Sequence, residues 1–193
     1  MRVLVLYAHP VESSYCAALH RQAVAALSEA GHEVDDCDLY AEAFNPVLSR
    51  AERLGYHEVP ANRCTVDGYA GRLESAQALV IVCPIWNYGF PAILKGFFDR
   101  VFLPGISFRL DSGRARGALH NIRRVVAITT YGGSRFKAAL IGDPPRRVVT
   151  RMLRVTVWPL ARISYLGRYD MNHCSAEDRA RFLRRVEHAM HAL

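Results

Sequence analysis

The sequence is poor in the features that would tie it to a metal, a disulfide scaffold or a bilayer. Its five cysteines, Cys16, Cys37, Cys64, Cys83 and Cys174, are scattered and odd in number, and no CxxC pair occurs. Reduced, mostly buried thiols are expected, not a disulfide framework. The histidines form no HExxH or HxxxH pair, so no metal site is expected either. No apolar run approaches the roughly 20 residues of a membrane helix, and no basic leader precedes the first run, RVLVLYA. A soluble, cytoplasmic protein without membrane insertion is the expectation. The formal charge of +7 is spread over many segments, with no compact Lys/Arg block and no nucleic-acid motif. A basic surface that attracts anionic cofactors, with no nucleic acid as partner, is the simpler account. GxGxxG and GxxxxGKS/T are both missing, which removes a dinucleotide Rossmann site and a P-loop.

What is present is the composition of a globular protein, 51% hydrophobic and 22% charged over 193 residues, and the whole chain reads as one domain. Val3–Ala8, Ala78–Cys83 and Arg123–Thr129 are continuous apolar runs of the kind buried on both faces of a parallel sheet. His32–Tyr40, broken by Asp35, Asp36 and Asp38, and Ala161–Leu166 are weaker and suit edge strands. Helices are predicted from Ser14 to Ala30, stopped by Gly31, and from Pro91 to Phe102. A third opens at Asp143-Pro144, with Asp143 as N-cap, Val148, Met152 and Val155 on one face, and Arg147, Arg151 and Arg154 on a solvated one. The last opens at Ser175, with Asp178 completing a capping box, and carries Phe182, Leu183, Val186 and Met190. Residues 41–71 lack a clear period and read as an insertion with a short helix, Ser49–Tyr56, serving as a binding loop or oligomer arm. Ile106–Leu110 is a short strand or loop, followed by turn chemistry at Asp111-Ser112-Gly113. The order implies an α/β, doubly wound, five-stranded parallel sheet, 2-1-3-4-5, of the flavodoxin-like class.

In such a sheet the loops after strands 1, 3 and 4 converge: HPVESS, PIWNYG and TTYGGS. The first sits at a helix N-terminus, where free N–H groups and the dipole suit a phosphate, and His9, Ser13 and Ser14 add donors. The second offers flat surfaces and an amide through Trp86, Asn87 and Tyr88. The third offers backbone N–H groups that Gly132 and Gly133 allow to approach closely. A phosphate end and a flat, polar-edged end together describe a flavin. Phe97, Phe98, Val101 and Phe102 recur at helical spacing and read as packing, while Asp99 and Arg100 read as exposed or interface charges.

YAHP followed by SS, DLYAEAFNPVLSRAE, PIWNYGFPAILKGFFDRVFLPG and TTYGGS resemble the NAD(P)H:quinone oxidoreductase family from residue 2 to about Asp143. The resemblance implies flavin-phosphate and ribityl roles for His9, Ser13, Tyr15 and Cys16. It implies that Pro84, Ile85, Trp86, Asn87 and Tyr88 flank the isoalloxazine, and that Thr130, Tyr131, Gly132 and Gly133 lie on its pyrimidine side. Phe108 falls in the region that covers the substrate pocket from a neighbouring subunit, which implies a homodimer. The activity implied is two-electron transfer from NAD(P)H to a quinone-like acceptor by a ping-pong cycle, with FMN (or FAD) as cofactor. The chain departs from members that carry a Tyr and a His after this last loop: between Gly132 and Asp143 it has neither, and Ile141 takes the His position. That departure keeps a second reading open, a flavin-binding regulatory subunit of a membrane transporter.

Overall fold

The computed structural model describes residues 1–193. Five parallel strands form the sheet: β1 (Arg2–Tyr7), β2 (Glu33–Asp38), β3 (Ala78–Ile85), β6 (Arg124–Tyr131) and β7 (Arg162–Arg168). Their order is β2-β1-β3-β6-β7, as the hydrophobicity ranking requires. All eight residues of β3 are buried, whereas β2 buries only Cys37. A separate antiparallel hairpin, β4 (Phe108–Asp111) and β5 (Arg114–Gly117), turns at Ser112-Gly113.

Successive strand residues point to opposite faces, so each strand feeds two cores. Val3, Val5, Val80, Val82, Val126 and Ile128 pack under α1 (Tyr15–Glu29) and α8 (Ala176–His191). Leu4, Leu6, Leu79, Ile81, Val125 and Ala127 pack under α3 (Asp67–Ser75) and α4 (Ala92–Val101). Phe97, Phe98, Val101 and Phe102 belong to this second core, as their spacing predicts. Cys16, Cys37, Cys83 and Cys174 are buried thiols, and Cys64 is exposed. No helix is long and apolar enough to cross a membrane.

The stretch 41–71 is not a free arm. Its end is the start of α3, the crossover helix between β2 and β3. Its middle holds α2 (Arg50–Leu54), shorter than predicted and closed by a Ser49–Glu52 capping box. Arg100 of α4 turns inward, contrary to the expectation of an exposed charge. Its guanidinium bonds Glu52 Oε1 at 2.5 Å from Nη2 and 3.0 Å from Nε, donates to the Asn45 carbonyl, and lies over Phe44. Asp99 stays outside and pairs with Lys95.

This pairing gives a pH signature. Burial alone would raise the Glu52 pKa, but hydrogen bonds from Thr65, Arg100 and Ser49 outweigh it and bring the value from 4.5 to about 2. A depressed carboxyl stabilises the fold fully above its unfolded pKa, and the contribution fades as pH falls through the folded one. Glu52→Gln is therefore expected to destabilise the protein at neutral pH by on the order of 2–3 kcal/mol. The gap to wild type should close between pH 4.5 and about 2. Urea titrations across that range check this, and a gap that is constant with pH would contradict it.

The structure corrects the helix after β6. Asp143 holds the N-cap position with Pro144 at N1, as predicted, but it has φ 45° and its side chain makes no capping bond. The helical stretch that follows runs as α6 (Pro144–Arg147), a π-helical turn (Val148–Met152) and α7 (Leu153–Thr156). Pro145, Val149, Leu153 and Thr156 are the buried residues. The Val148, Met152 and Val155 face turns outward instead, into an apolar groove beside the hairpin.

Candidate functional site

The three predicted loops do meet at the carboxyl ends of β1, β3 and β6. There a cleft of about 540 Å³ is lined by His9, Ser14, Tyr15, Cys16, Pro84, Ile85, Trp86, Asn87, Thr130, Tyr131, Gly132 and Met171.

The β1 side is the start of α1. Ser14 is its N-cap and accepts the Ala17 N–H at 3.0 Å, and its carbonyl takes the Ala18 N–H at 3.1 Å. The Tyr15 and Cys16 N–H groups remain without partners at the positive end of the helix dipole. Val11 N–H donates to His9 Nδ1 at 3.0 Å, which leaves the ring proton on Nε2 as a donor. Partial burial lowers the His9 pKa, so the ring is neutral near pH 7. Ser13 is exposed and Ser14 takes its place in the lining. Tyr15 points its hydroxyl to the Arg179 carbonyl at 2.8 Å, tying α1 to α8. Burial pushes the Cys16 thiol up to about 12, so it is a protonated packing group.

The β3 side is a two-residue hairpin turn. Trp86 N–H bonds the Gly89 carbonyl at 3.1 Å and Gly89 N–H returns to the Trp86 carbonyl at 2.8 Å. Asn87 and Tyr88 between them have φ of 49° and 56°. Positive φ at both central positions is the pattern of a type I′ loop, costly for a tyrosine by about 1–2 kcal/mol. Such strain at a cleft rim is held because the surroundings over-determine it. Trp86, 43% exposed, stands out from a strand that is otherwise fully buried, with its ring centroid 5.8 Å from that of His9.

The β6 side carries Thr130 and Gly132, and the Gly132 and Gly133 N–H groups make no bond within the chain. A Cβ on Gly133 would lie 3.0 Å from the Tyr88 hydroxyl. Tyr88 and Gly133 therefore brace each other behind the rim rather than line the cleft. Tyr131 departs from expectation in a different way. Its side chain is buried, and its hydroxyl bonds Asp143 Oδ1 at 2.6 Å and also meets the Tyr165 hydroxyl. Burial and these neighbours raise its pKa far above the ordinary value for tyrosine, so the hydroxyl stays protonated.

Phe108 is not in this cleft. It lies in the apolar groove of about 420 Å³ beside the hairpin, with Phe90, Phe98, Phe102, Val148 and Met152. Met171 is a lining residue that no pattern in the sequence points to. It follows β7 in a short 3-10 turn, and only the pairing of β7 with β6 brings it to the rim.

A family model described as a flavodoxin-like fold matches residues 1–165. The chain belongs to this family. NAD(P)H dehydrogenase (quinone) 1 of Rattus norvegicus is 32% identical over 175 residues, which is 82% of this chain and 61% of that protein. The flavodoxin-like chain thus spans about three-fifths of the length of the curated relatives it matches first. Among solved structures, Smu.1420 from Streptococcus mutans is 27% identical with a TM-score of 0.87, and each chain is covered completely. NAD(P)H:quinone oxidoreductase from Methanothermobacter marburgensis is 26% identical with a TM-score of 0.82, covering 99% of this chain and 98% of that one. The resemblance read from the four sequence segments is borne out.

Proposed function

We propose that the chain is a flavin-dependent NAD(P)H oxidoreductase that delivers two electrons to a quinone or similar acceptor. The observation that carries this is the donor set of the cleft. Open backbone N–H groups at the start of α1 and at Gly132 flank an exposed tryptophan on one wall. This set fits the isoalloxazine, ribityl chain and first phosphate that FMN and FAD share. Tyr15 and Cys16 N–H, His9 Nε2 and the Ser13 and Ser14 hydroxyls would hold the phosphate and ribityl end. Pro84, Ile85, Trp86 and Asn87 would form the wall, and Thr130 and Gly132 the polar edge, with Tyr88 and Gly133 bracing each other behind it.

A bound flavin supplies hydride transfer from NAD(P)H and then to the acceptor, in a ping-pong cycle at one shared place. The protein supplies position and electrostatics. The α1 N–H groups and dipole favour the phosphate charge. The Gly132 N–H group would favour negative charge on the ring edge beside it. No side chain is assigned as acid or base: His9 is a neutral donor, the Cys16 thiol is protonated, and the Tyr131 hydroxyl is committed to Asp143. Ile141 supplies no proton where other members carry His, so turnover proceeds without that assistance.

In a single chain Phe108 is separate from the cleft, so its substrate role requires a homodimer, in which one protomer's groove covers its partner's cleft. Two of the relatives named above are oxidoreductases by name, which favours the enzyme over a transporter subunit.

Purified protein incubated with FMN or FAD should absorb near about 450 nm and oxidise NADPH or NADH in the presence of a quinone. No flavin uptake would end the reading, and uptake with negligible turnover on every acceptor would turn it toward the transporter subunit. Mass spectrometry of the released cofactor assigns FMN or FAD.

A further inference from the structure

The segment 134–142, most of it the short helix α5 (Arg135–Leu140), leads away from the cleft rim and is weakly fastened. Only Ala138 within it is buried, and Phe136, Leu140 and Ile141 are 77%, 78% and 52% exposed. Asp143 ties its far end back. The carboxylate accepts the Tyr131 hydroxyl on Oδ1 and the Tyr169 hydroxyl on Oδ2, each at 2.6 Å. The rings of Tyr131 and Tyr169 stack at 4.3 Å, and Tyr165 closes the cluster through its hydroxyl. Tyr131 sits in sequence between Thr130 and Gly132, both at the cleft. One carboxylate therefore joins the two ends of this loop and fastens both to the chain beyond β7.

Other features are shaped around the same cluster. A Cβ on Gly167 would lie 2.8 Å from the Tyr169 ring, and Asp170 N–H donates to the Gly133 carbonyl at 2.9 Å. Gly142 and Asp143 have φ of 90° and 45°. Asp143 thus occupies backbone that favours glycine, yet its side chain makes no capping bond to the helix that follows. The two charge-assisted bonds to tyrosine are what this strained placement secures.

We propose that Asp143 is a positioning residue, which through Tyr131 and Tyr169 holds the Thr130–Gly133 rim ready for the polar edge of the cofactor. This rests on the flavin reading of the cleft and is independent of the acceptor. A rim fixed beforehand binds more tightly because less ordering remains to be done on binding.

Asp143→Asn and the double variant Tyr131→Phe/Tyr169→Phe test it, with Tyr165→Phe as the control that leaves both carboxylate bonds in place. In flavin-free protein, amide hydrogen exchange across 130–142 should accelerate about tenfold in the first two, with β3 and β1 unchanged. The Kd for FMN, read from quenching of FMN fluorescence, should rise about tenfold in the same variants and little in Tyr165→Phe. Unchanged exchange at 130–142 overturns the proposal, as does faster exchange with an unchanged Kd. General loss of protection also counts against it, since that marks a core role. If wild-type protein takes up neither FMN nor FAD, the flavin reading fails first and takes the cofactor role of Asp143 with it. If the wild type binds flavin and the variants bind it more weakly, the flavin reading stands and the role of Asp143 is supported.

Discussion

Gly96→Ala is expected to destabilise the protein by about 3 kcal/mol or more, a fall in Tm of roughly 6–12 °C. On helix propensity alone the change should help by about 1 kcal/mol, because glycine in a helix interior is costly relative to alanine. The sign reverses because α4 crosses the 41–71 stretch at this residue. A Cβ on Gly96 would lie 2.3 Å from the Pro46 carbonyl oxygen and 2.4 Å from its Cα. These are backbone atoms, so no rotamer change relieves the clash. Relief requires α4 to separate from the segment that Arg100 and Glu52 pin down nearby. Gly71→Ala provides the contrast. It lies within α3 and a Cβ there meets nothing within 4 Å, so it should stabilise by about 0.5–1 kcal/mol. Paired thermal melts of the two variants decide the matter, and a Gly96→Ala protein as stable as wild type would refute the close crossing.

Trp86→Ala is expected to weaken flavin binding about 10- to 100-fold, from loss of roughly 1–3 kcal/mol of aromatic contact, while the fold stays intact. The two effects separate because of where the ring lies. Trp86 is 43% exposed, and the hairpin turn that presents it is held by backbone bonds to Gly89 that alanine keeps. The strand below it, buried along its whole length, does not depend on the ring. Retained flavin is measured by absorbance after gel filtration, alongside a thermal melt of the flavin-free protein. Full retention would move the wall away from this loop, and a large drop in Tm would make Trp86 a packing residue instead.

The two predictions probe different kinds of legibility. The cleft was readable in outline because parallel strands are buried on both faces and so appear as unbroken apolar runs. Once the order of strength among those runs placed β2 and β7 at the edges, the loops after β1, β3 and β6 had to share one end of the sheet. Trp86, Asn87, Thr130 and Gly132 follow from that alone, and so does the open start of α1.

The tertiary structure decided what each side chain does. Asp143-Pro144 reads locally as a cap, yet two tyrosine hydroxyls, one of them 26 residues away, claim the carboxylate. Arg100 reads as an exposed helix charge until Glu52, 48 residues earlier in the chain, folds against it. Tyr131 reads as a cleft residue and does line the cleft, but its hydroxyl is taken by Asp143 and by Tyr165 on the neighbouring strand. In each case the local pattern offers a polar group several partners of similar worth, and the choice falls to contacts distant in sequence. The sequence by itself determined the sheet, its order and the end at which the cleft lies, because burial on both faces leaves a one-dimensional trace. Only the tertiary structure decided which polar groups face the cleft and which hold its rim in place, because hydrogen-bond partners leave no such trace.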